Sequence, residues 1–316
     1  MKEIGGYFEL ELDSKKAYHH SAISLNSGRN ALKYILKSQK IKKIYIPNYI
    51  CNSIIEPIIE LSISYEFYNI DYKFEIIKQI NLFNDERILY VNYFGLKYKY
   101  VTELVNKYQN YLIVDNTQDF FQTPIKNIDT IYSPRKFFGT SDGGYLYTNN
   151  LLKELLTIDE SHTNSLHLLS RIDKDASSFY NEFKEAEKAL KNQPIKIMSN
   201  LTNKILLSIN YNRIKKKRKE NFKYLHNELK DFNLLVDINI QTTPFVYPFI
   251  SNDIKLRDKL IKNKIYIAKY WQEVLERDSV SNTEVDLVNK LLPLPIDQRY
   301  DFDDMSRISK IIRDNI

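Results

Sequence analysis

The chain has 316 residues, with 46 Lys and Arg against 40 Asp and Glu, a net charge of +6 and 43% hydrophobic residues. This apolar fraction excludes an intrinsically disordered chain, and the even mixture of charges gives no indication of nucleic-acid binding. No apolar run approaches the ~18 residues of a membrane span, the N-terminus lacks a signal-peptide pattern, and the single cysteine, Cys51, excludes an internal disulfide. We therefore expect a cytoplasmic protein that binds neither nucleic acid nor membrane.

The first 150 residues alternate between strand-like and helical segments. Strands are predicted at 42–47, 62–70, 87–95, 111–118, 129–133 and 143–149, which are short, rich in β-branched or aromatic residues, and bounded by Asn, Asp, Gly or Pro. Helices are predicted at 28–39, 52–61 and 100–109. This alternation predicts an α/β fold with a largely parallel sheet that helices cover on both faces.

The second half of the chain is predicted to be helical from 151 to 209, with a long helix from 209 to 230. It ends in strand-like pieces at 233–240 and 242–250, a helix at 254–263, and a proline-bounded run with an amphipathic helix at 291–316. The basic run at 213–223 is typical of a solvated helix face. We predict a large domain at 1–208, followed at 209–316 by a linking helix and a smaller α+β domain.

The segment DTIYSPRKFFGTSDGG, residues 129–144, places three of the seven glycines of the chain just after Lys136. Glycine this scarce marks a backbone conformation or a close approach that other residues cannot supply. Lys136 lies between Arg135 and two phenylalanines, so it is either a desolvated, nucleophilic amine or a surface lysine beside a turn. Taken alone, the segment favours the surface lysine.

Polar residues occur at two further places where an open α/β sheet binds ligands. Ser27, Gly28 and Arg29 stand at a predicted helix start, where free N–H groups and the helix dipole favour an anion; an ordinary N-cap serine is the alternative. Asp115 ends the apolar run YLIV, and Gln118 follows it. A carboxylate on a buried strand end needs a cationic or hydrogen-bonding partner.

Other residues give weaker signals. The five histidines show no metal-ligand spacing, so no metal site is predicted. Trp271 is predicted to be a packing residue of the C-terminal domain.

In their order along the chain, these segments resemble the pyridoxal-phosphate enzymes of the aspartate-aminotransferase fold (fold type I), and most closely the DegT/DnrJ/EryC1/StrS family of sugar aminotransferases. LNSGRNAL resembles the phosphate-binding motif of that family, IVDNTQDF its Asp-x-x-Gln/His signature, and YSPRKFFGTSDGG its Schiff-base lysine with a glycine pair. IYIPNYICNSIIEPI and the closing LLPLP are also similar to family segments, so the resemblance covers nearly the whole chain.

The resemblance implies a role for each of these residues. Lys136 would carry pyridoxal 5'-phosphate and move the proton during catalysis, and Asp115 would pair with the pyridine nitrogen of the cofactor. Gln118 would bond its phenolic oxygen. The phosphate would be held by Ser27, Gly28, Arg29 and Ser133.

The resemblance also implies an aromatic side chain stacked on the cofactor ring. This sequence has Cys51 at the matching position, with Tyr49 nearby, and Tyr93 or Phe94 are alternatives. The region 170–187 occupies the place of a family segment that reaches the partner subunit, so Arg171 or Tyr180 would act across the interface of a homodimer.

The implied function is transfer of an amino group from an amino acid, glutamate being favoured, to a keto-sugar. A nucleotide-linked keto-sugar for surface polysaccharide or glycan synthesis is the leading acceptor, and a small phosphorylated ketone is the second. A different reaction on the same cofactor, and a non-catalytic regulatory or binding protein that keeps the fold, remain alternatives.

Overall fold

The computed structural model describes residues 4–235, 238 and 240–316. The predicted strand-like segment 233–240 includes Val236, Asp237 and Asn239, which lie outside the described residues, as do the first three residues of the chain.

A seven-stranded sheet forms the centre of the molecule. Its strands are β1 (Ile23–Leu25), β2 (Lys43–Pro47), β3 (Ser64–Tyr68), β4 (Glu86–Val91), β5 (Leu112–Asp115), β6 (Asp129–Tyr132) and β7 (Gly144–Tyr147). Their order across the sheet is β1-β7-β6-β5-β4-β2-β3. Strands β2 to β6 pair in parallel, whereas β7 pairs antiparallel with both β6 and β1. The predicted α/β fold with a largely parallel sheet is confirmed.

Two strands end three or more residues earlier than the sequence predicts. Strand β4 ends at Val91, because the chain turns into a single 3₁₀ turn at Tyr93–Gly95 with Phe94 at a φ of 58°. Strand β5 ends at Asp115, because its carboxylate accepts the N–H of Thr117 at 2.8 Å and bends the chain into a turn. Both turns fall at the carboxyl edge of the sheet. Strand β1 was not predicted.

Ten helices lie among the described residues, and most occur where helical periodicity predicts them. They are α1 (Gly28–Ser38), α2 (Ile55–Glu60), α3 (Tyr98–Tyr108), α4 (Leu166–Asp173), α5 (Tyr180–Lys188), α6 (Asn200–Ser208), α7 (Tyr211–Leu229), α8 (Leu256–Lys262), α9 (Asn282–Lys290) and α10 (Phe302–Arg313). Helix α9 was not predicted, although its start carries a capping box between Ser281 and Glu284.

The long helix α7 corrects the prediction for the basic run. Most of its cations face outward, but Arg218 is only 2% exposed. Its guanidinium donates to the backbone oxygen of Phe245 at 2.9 Å and to Gln298 Oε1 at 3.0 Å. Arg218 is therefore a buried residue that links α7 to Phe245 and Gln298. Its hydrogen bonds offset part of the free-energy cost of removing the charge from water.

The C-terminal part of the chain builds a second, smaller apolar core. Strands β8 (Tyr247–Ile250) and β9 (Leu291–Leu294) pair antiparallel, and β9 is the predicted proline-bounded run LLPLP. Helices α7, α8 and α10 pack their apolar faces on this pair. Phe222, Phe249 and Met305 at its centre are fully buried. Tyr270 and Trp271, which contribute to the site described next, pack instead against the core of the main sheet.

Candidate functional site

A cleft of about 500 Å³ opens at the carboxyl edge of the sheet, where β4, β5 and β6 end and α1 begins. The eight residues that the sequence analysis assigns to catalysis or to the cofactor all line it: Ser27, Gly28, Arg29, Cys51, Asp115, Gln118, Ser133 and Lys136. They come from four separate stretches of the chain. Their convergence follows from the parallel sheet, which places the ends of successive strands at one edge.

Asp115 occupies the central strand of this edge. It pairs across the sheet with Val91 on one side and Ile131 on the other, and it is only 4% exposed. Its Oδ1 accepts the N–H of Thr117 at 2.8 Å. Its Oδ2 receives no hydrogen bond from the part of the chain that the structure describes. The free oxygen of this buried carboxylate needs a hydrogen-bond donor.

Lys136 reaches the same cleft from the 3₁₀ turn Pro134–Lys136 that follows β6. The lysine is partly buried, and its Nζ donates to Thr117 Oγ1 at 2.8 Å. Thr117 therefore touches both chemical groups, since its backbone N–H bonds Asp115 and its hydroxyl bonds Lys136. Lys136 is therefore a partly buried residue of the cleft wall and not a freely solvated surface lysine.

Gln118 lies in the turn after β5 and is almost fully buried at 1% exposure. Its Oε1 accepts the N–H of Phe94 at 2.7 Å. This bond fixes the orientation of the amide, so that Nε2 is on the other side and faces no acceptor among the described residues. The Nε2 donor of Gln118 is therefore held in the wall of the cleft, in the turn that follows Asp115.

The start of α1 forms another wall. Ser27 is the N-cap, and its Oγ accepts the N–H of Asn30 at 3.1 Å, as the ordinary N-cap alternative predicts. Ser27 lines the cleft, and its hydroxyl has a proton that it can donate to a ligand. A Cβ at Gly28 would lie 3.5 Å from Thr117 Cγ2 and 3.9 Å from Ser133 Cβ, so glycine leaves open the space between these residues.

The glycine pair after Lys136, Gly143 and Gly144, contacts the backbone just before this helix. Gly143 has a φ of +117°, and a Cβ there would be 2.8 Å from Pro134 Cγ. The N–H of Gly143 donates to the backbone oxygen of Asn26 at 2.8 Å, just before Ser27. The pair is thus required by backbone conformation and close approach, as its scarcity predicts.

Two arginines bring unpaired donors to the cleft. Within the described residues, Arg29 Nε and Nη1 are buried without a hydrogen bond, and Glu56 Oε2 lies 3.6 Å from Nε, beyond hydrogen-bond range. Arg135 forms an ion pair with Glu187 of α5, and its buried Nε also has no acceptor there. Buried guanidinium N–H groups without acceptors are uncommon, and Arg29 and Arg135 both line the cleft, each beside a carboxylate that offsets part of its charge.

The predicted aromatic alternatives lie elsewhere. Tyr49, Tyr93 and Phe94 are fully buried in the core. The hydroxyl of Tyr93 donates to the backbone oxygen of Tyr49 at 2.7 Å, and that of Tyr49 to the backbone oxygen of Tyr270 at 3.1 Å. Cys51 does line the cleft, and its thiol contacts Ser53 Oγ.

A C-terminal segment, residues 270–279, closes one side of the cleft. Trp271 and Glu273 line it, so Trp271 is more than the packing residue that the sequence predicts. Glu273 accepts the N–H of Asn52 at 3.1 Å. Arg277 donates to the backbone oxygens of Asn48 and Ile50. The loop that carries Cys51 is thereby tied to this segment.

Sequence reasoning missed several residues of the cleft: Thr117, Arg135, Glu187, Trp271 and Glu273. For Thr117 a signal was available, because it stands between Asp115 and Gln118. The position of Arg135 next to Lys136 was noted without a role. The other three reach the cleft only through long-range packing and leave no local pattern.

Two further features concern metal binding and membrane spans among the described residues. Within them, no group of three or more His, Cys, Asp or Glu side chains is placed to hold a metal ion. His19 lies in the core at 3% exposure, with its Nε2 2.7 Å from the backbone oxygen of Phe120. Of the helices described, none is both long and apolar enough to cross a membrane.

Comparisons with known proteins add a fold relationship. No protein-family model matches the chain, and neither does any curated protein sequence. Among solved structures, the sugar aminotransferase CalS13 from Micromonospora echinospora is similar with a TM-score of 0.68 and 14% identity, covering 93% of this chain and 87% of that one. A DegT DnrJ EryC1 StrS aminotransferase from Brucella abortus has a TM-score of 0.62 and 16% identity, covering 93% and 85%.

A third similar structure is the putative sugar aminotransferase Spr1654 from Streptococcus pneumoniae in its PMP form, with a TM-score of 0.61 and 12% identity, covering 93% of this chain and 87% of that one. At identities this low, the structural similarity shows the fold alone. The chain has the fold of the pyridoxal-phosphate-dependent sugar aminotransferases, as the sequence resemblance implies.

Proposed function

We propose that this protein is a pyridoxal-phosphate-dependent aminotransferase that moves an amino group from an amino acid, glutamate being favoured, to a keto-sugar. The observation that carries the proposal is the convergence of Lys136 and Asp115 in one cleft, joined through Thr117. A nucleophilic amine and a buried carboxylate at the ends of neighbouring parallel strands are the groups that this chemistry needs.

The residues of the cleft fit the cofactor. Gly28 leaves open a space at a helix N-terminus that a Cβ would narrow toward Thr117 and Ser133, and Arg29 offers buried donors without acceptors. A phosphate at this place would meet free N–H groups, the positive end of the helix dipole and a guanidinium. Ser27, Gly28, Arg29 and Ser133 would hold it.

The other end of the cofactor would be held by the turn after β5. Asp115 Oδ2 would accept a hydrogen bond from the protonated ring nitrogen, because Oδ1 is already bonded to Thr117. Gln118 Nε2 would donate to the phenolic oxygen, because Oε1 is already bonded to Phe94. In both side chains one atom is fixed by the protein and the other is left for the ligand.

Pyridoxal phosphate, when bound, supplies an aldehyde that takes up amino groups and a ring that accepts the electrons released at Cα. Lys136 has two tasks in this scheme. Its Nζ would hold the cofactor covalently between turnovers, and once an amino donor displaces it, the free amine would take a proton from Cα of the donor and pass it to the C4′ carbon of the cofactor. Thr117 would orient the freed amine through the bond that it already accepts from Nζ.

Two observations support the choice of the amino-group acceptor. Solved structures with this fold include the sugar aminotransferase CalS13. Besides the cations assigned to the cofactor, the cleft carries Lys191 and Arg135, the latter paired with Glu187, and these cationic groups suit an anionic acceptor. A nucleotide-linked keto-sugar for polysaccharide or glycan synthesis satisfies both, and a small phosphorylated ketone satisfies the second.

We also propose that the protein acts as a homodimer. Helices α4 and α5 expose several large apolar side chains: Leu166, Leu169, Ile172, Tyr180 and Phe183. An exposed apolar surface of this kind is typical of an interface. Ile172→Glu should shift the sedimentation coefficient from dimer to monomer, whereas Ile254→Glu, a change at an exposed isoleucine elsewhere, should leave it unchanged. A wild-type monomer at micromolar concentration would contradict the proposal.

The cofactor assignment is tested by trapping it on the protein. Purified protein is incubated with pyridoxal phosphate and reduced with borohydride, and the modified peptide is located by mass spectrometry. We expect the label on Lys136, its loss in Lys136→Ala, and its retention in Lys191→Ala, a control lysine that lines the same cleft. Label on another lysine, or none at all, would refute the assignment.

The reaction type is tested with glutamate alone. A transaminase releases 2-oxoglutarate in an amount equal to its bound cofactor and then stops until a keto acceptor is added. Continuous release of another product would favour a different reaction on the same cofactor. A loaded protein that does not react with amino acids or keto-sugars would favour the non-catalytic alternative.

A further inference from the structure

The wall formed by residues 270–279 suggests how the cofactor ring is held. Of the described residues that line the cleft, Trp271 is the only aromatic one. The indole is half-buried and rests on Tyr49, with ring centroids 4.9 Å apart, and on Tyr270, at 5.2 Å and 27° between planes. One part of its surface is therefore supported from behind while another part faces the cleft.

The support is rigid, because the neighbouring backbone is tied to the main sheet. Tyr49 is fully buried and bonds the backbone oxygen of Tyr270. Arg277 and Glu273 hold the loop 48–52 from the other side. An aromatic side chain locked by packing and hydrogen bonds loses little conformational entropy when a ligand covers it. Such a side chain is suited to binding.

We propose that Trp271 is the aromatic surface on which the pyridine ring of the cofactor packs. A flat heteroaromatic ring gains from an offset or edge contact with an indole, in addition to the apolar area that it buries. Cys51, on the loop that Trp271 adjoins, is too small to supply such a surface. The C-terminal part of the chain thus takes part in cofactor binding. This inference rests on the proposed function.

The chain is well suited to the test, since Trp271 is its only tryptophan. Apo protein is titrated with pyridoxal phosphate, and the dissociation constant is read from the absorbance of bound cofactor after equilibrium dialysis. We expect Trp271→Leu to weaken binding about three- to ten-fold and Trp271→Phe to weaken it less, because phenylalanine keeps an aromatic face. Tyr266→Leu, at a 61% exposed aromatic just before this segment, is the matched control and should bind as the wild type does.

The outcomes separate this inference from the proposed function. If the wild type takes up no cofactor, the proposed function fails. If the wild type binds and Trp271→Leu binds equally well, the role of Trp271 is wrong while the proposed function stands. A leucine variant that loses affinity only for the keto-sugar also overturns the inference, because the indole then faces the acceptor.

A second measurement needs no variant, in case Trp271→Leu does not fold. Acrylamide quenching of the residual Trp271 emission is measured with and without cofactor. A bound ring that covers the indole should lower the quenching constant about two-fold or more, in the manner of a side chain withdrawn from solvent. An unchanged quenching constant would show that the indole is not covered, which would overturn the inference.

Discussion

Gly144 lies directly against the backbone of Ser27. A Cβ at position 144 would be 2.4 Å from both the carbonyl carbon and oxygen of Ser27, and 2.8 Å from the nitrogen of Gly28. Gly144 also pairs with Leu25 in the antiparallel ladder between β1 and β7. The absence of a side chain at position 144 therefore allows the N-terminus of α1 to lie against the sheet and to face the cleft.

The variant Gly144→Ala should damage both the fold and the proposed phosphate site. The added methyl group meets backbone atoms that cannot rotate away, so we expect a loss of roughly 3 kcal/mol in the free energy of unfolding, at the upper end of overpacking effects. Because the displaced residues are Ser27 and Gly28, the affinity for pyridoxal phosphate should also fall at least ten-fold. Denaturant unfolding and equilibrium dialysis measure the two effects.

Gly139→Ala is the matched control in the same segment. A Cβ there would lie 3.6 Å from Leu168 Cδ2, which is an ordinary contact. This variant should retain wild-type affinity and lose less than about 0.5 kcal/mol. Equal losses in Gly139→Ala and Gly144→Ala would contradict the close approach.

The sequence predicts the strands of the main sheet well, except at their ends. Strands β2 to β7 were recognised because their segments are short, rich in β-branched or aromatic residues and bounded by turn-forming residues. Strand β1 was missed because three residues carry too little periodicity. Strands β4 and β5 were predicted too long, because the side-chain bond from Asp115 to the N–H of Thr117, which ends β5, is not visible in a hydrophobic pattern.

The predicted site residues come together in the cleft, whereas the place of Trp271 in the cleft wall could not be predicted from the sequence. Lys136, Asp115 and Ser27 stand at strand ends or a helix start, which are positions that local patterns reveal. Trp271 reaches the cleft through hydrogen bonds between the loop 48–52 and residues far along the chain. Contacts of this range depend on tertiary packing, to which a single sequence gives no direct guide.

Arg277 should be a major structural link between the C-terminal segment and the cleft loop. It donates to the backbone oxygens of Asn48 and Ile50 and to Asn52 Oδ1, and its guanidinium lies 4.6 Å from the ring centroid of Phe67. The single ammonium group of a lysine cannot reproduce the set of hydrogen bonds that the planar guanidinium makes. We expect Arg277→Lys to lower the free energy of unfolding by about 2 kcal/mol, measured in denaturant.

Arg299→Lys provides the comparison for this link. Arg299 pairs with Asp297, but 60% of its side chain is exposed. Exposed ion pairs contribute little, so this change should cost less than about 1 kcal/mol. If Arg277→Lys costs no more than Arg299→Lys, the proposed link is unimportant for stability.

His19 should make the protein less stable in mild acid. Burial lowers the pKa of its imidazole to about 4, against 6.5 for the free side chain. Between these values the unfolded chain takes up a proton that the folded chain does not, so stability falls as the pH falls from 6.5 to 4. Relative to His19→Gln, the wild type should lose about 2 kcal/mol of unfolding free energy between pH 7 and pH 5. If the unfolding free energies of the wild type and His19→Gln change with pH in parallel, folding does not lower the pKa of His19.

Asp119 should affect the stability in the opposite direction to His19, so that its contribution falls as the pH rises. Burial raises the pKa of its carboxyl group to about 8, from 3.8, although Thr242 and Asn92 donate hydrogen bonds to it. The folded chain therefore holds a proton that the unfolded chain has released, and the stability that this group contributes is lost as the pH rises from 3.8 through 8. The slope is about 1.4 kcal/mol for each pH unit within this window.

The variant Asp119→Asn removes this titration with little change in shape. Its unfolding free energy should rise relative to the wild type by roughly 3 kcal/mol between pH 5 and pH 7. In the wild type the opposing slopes of His19 and Asp119 should largely cancel up to pH 6.5, and above it only the loss from Asp119 remains. Denaturant unfolding of both proteins at half-unit steps of pH measures the difference. A constant difference between them would mean that Asp119 is already ionised in the folded protein at pH 5.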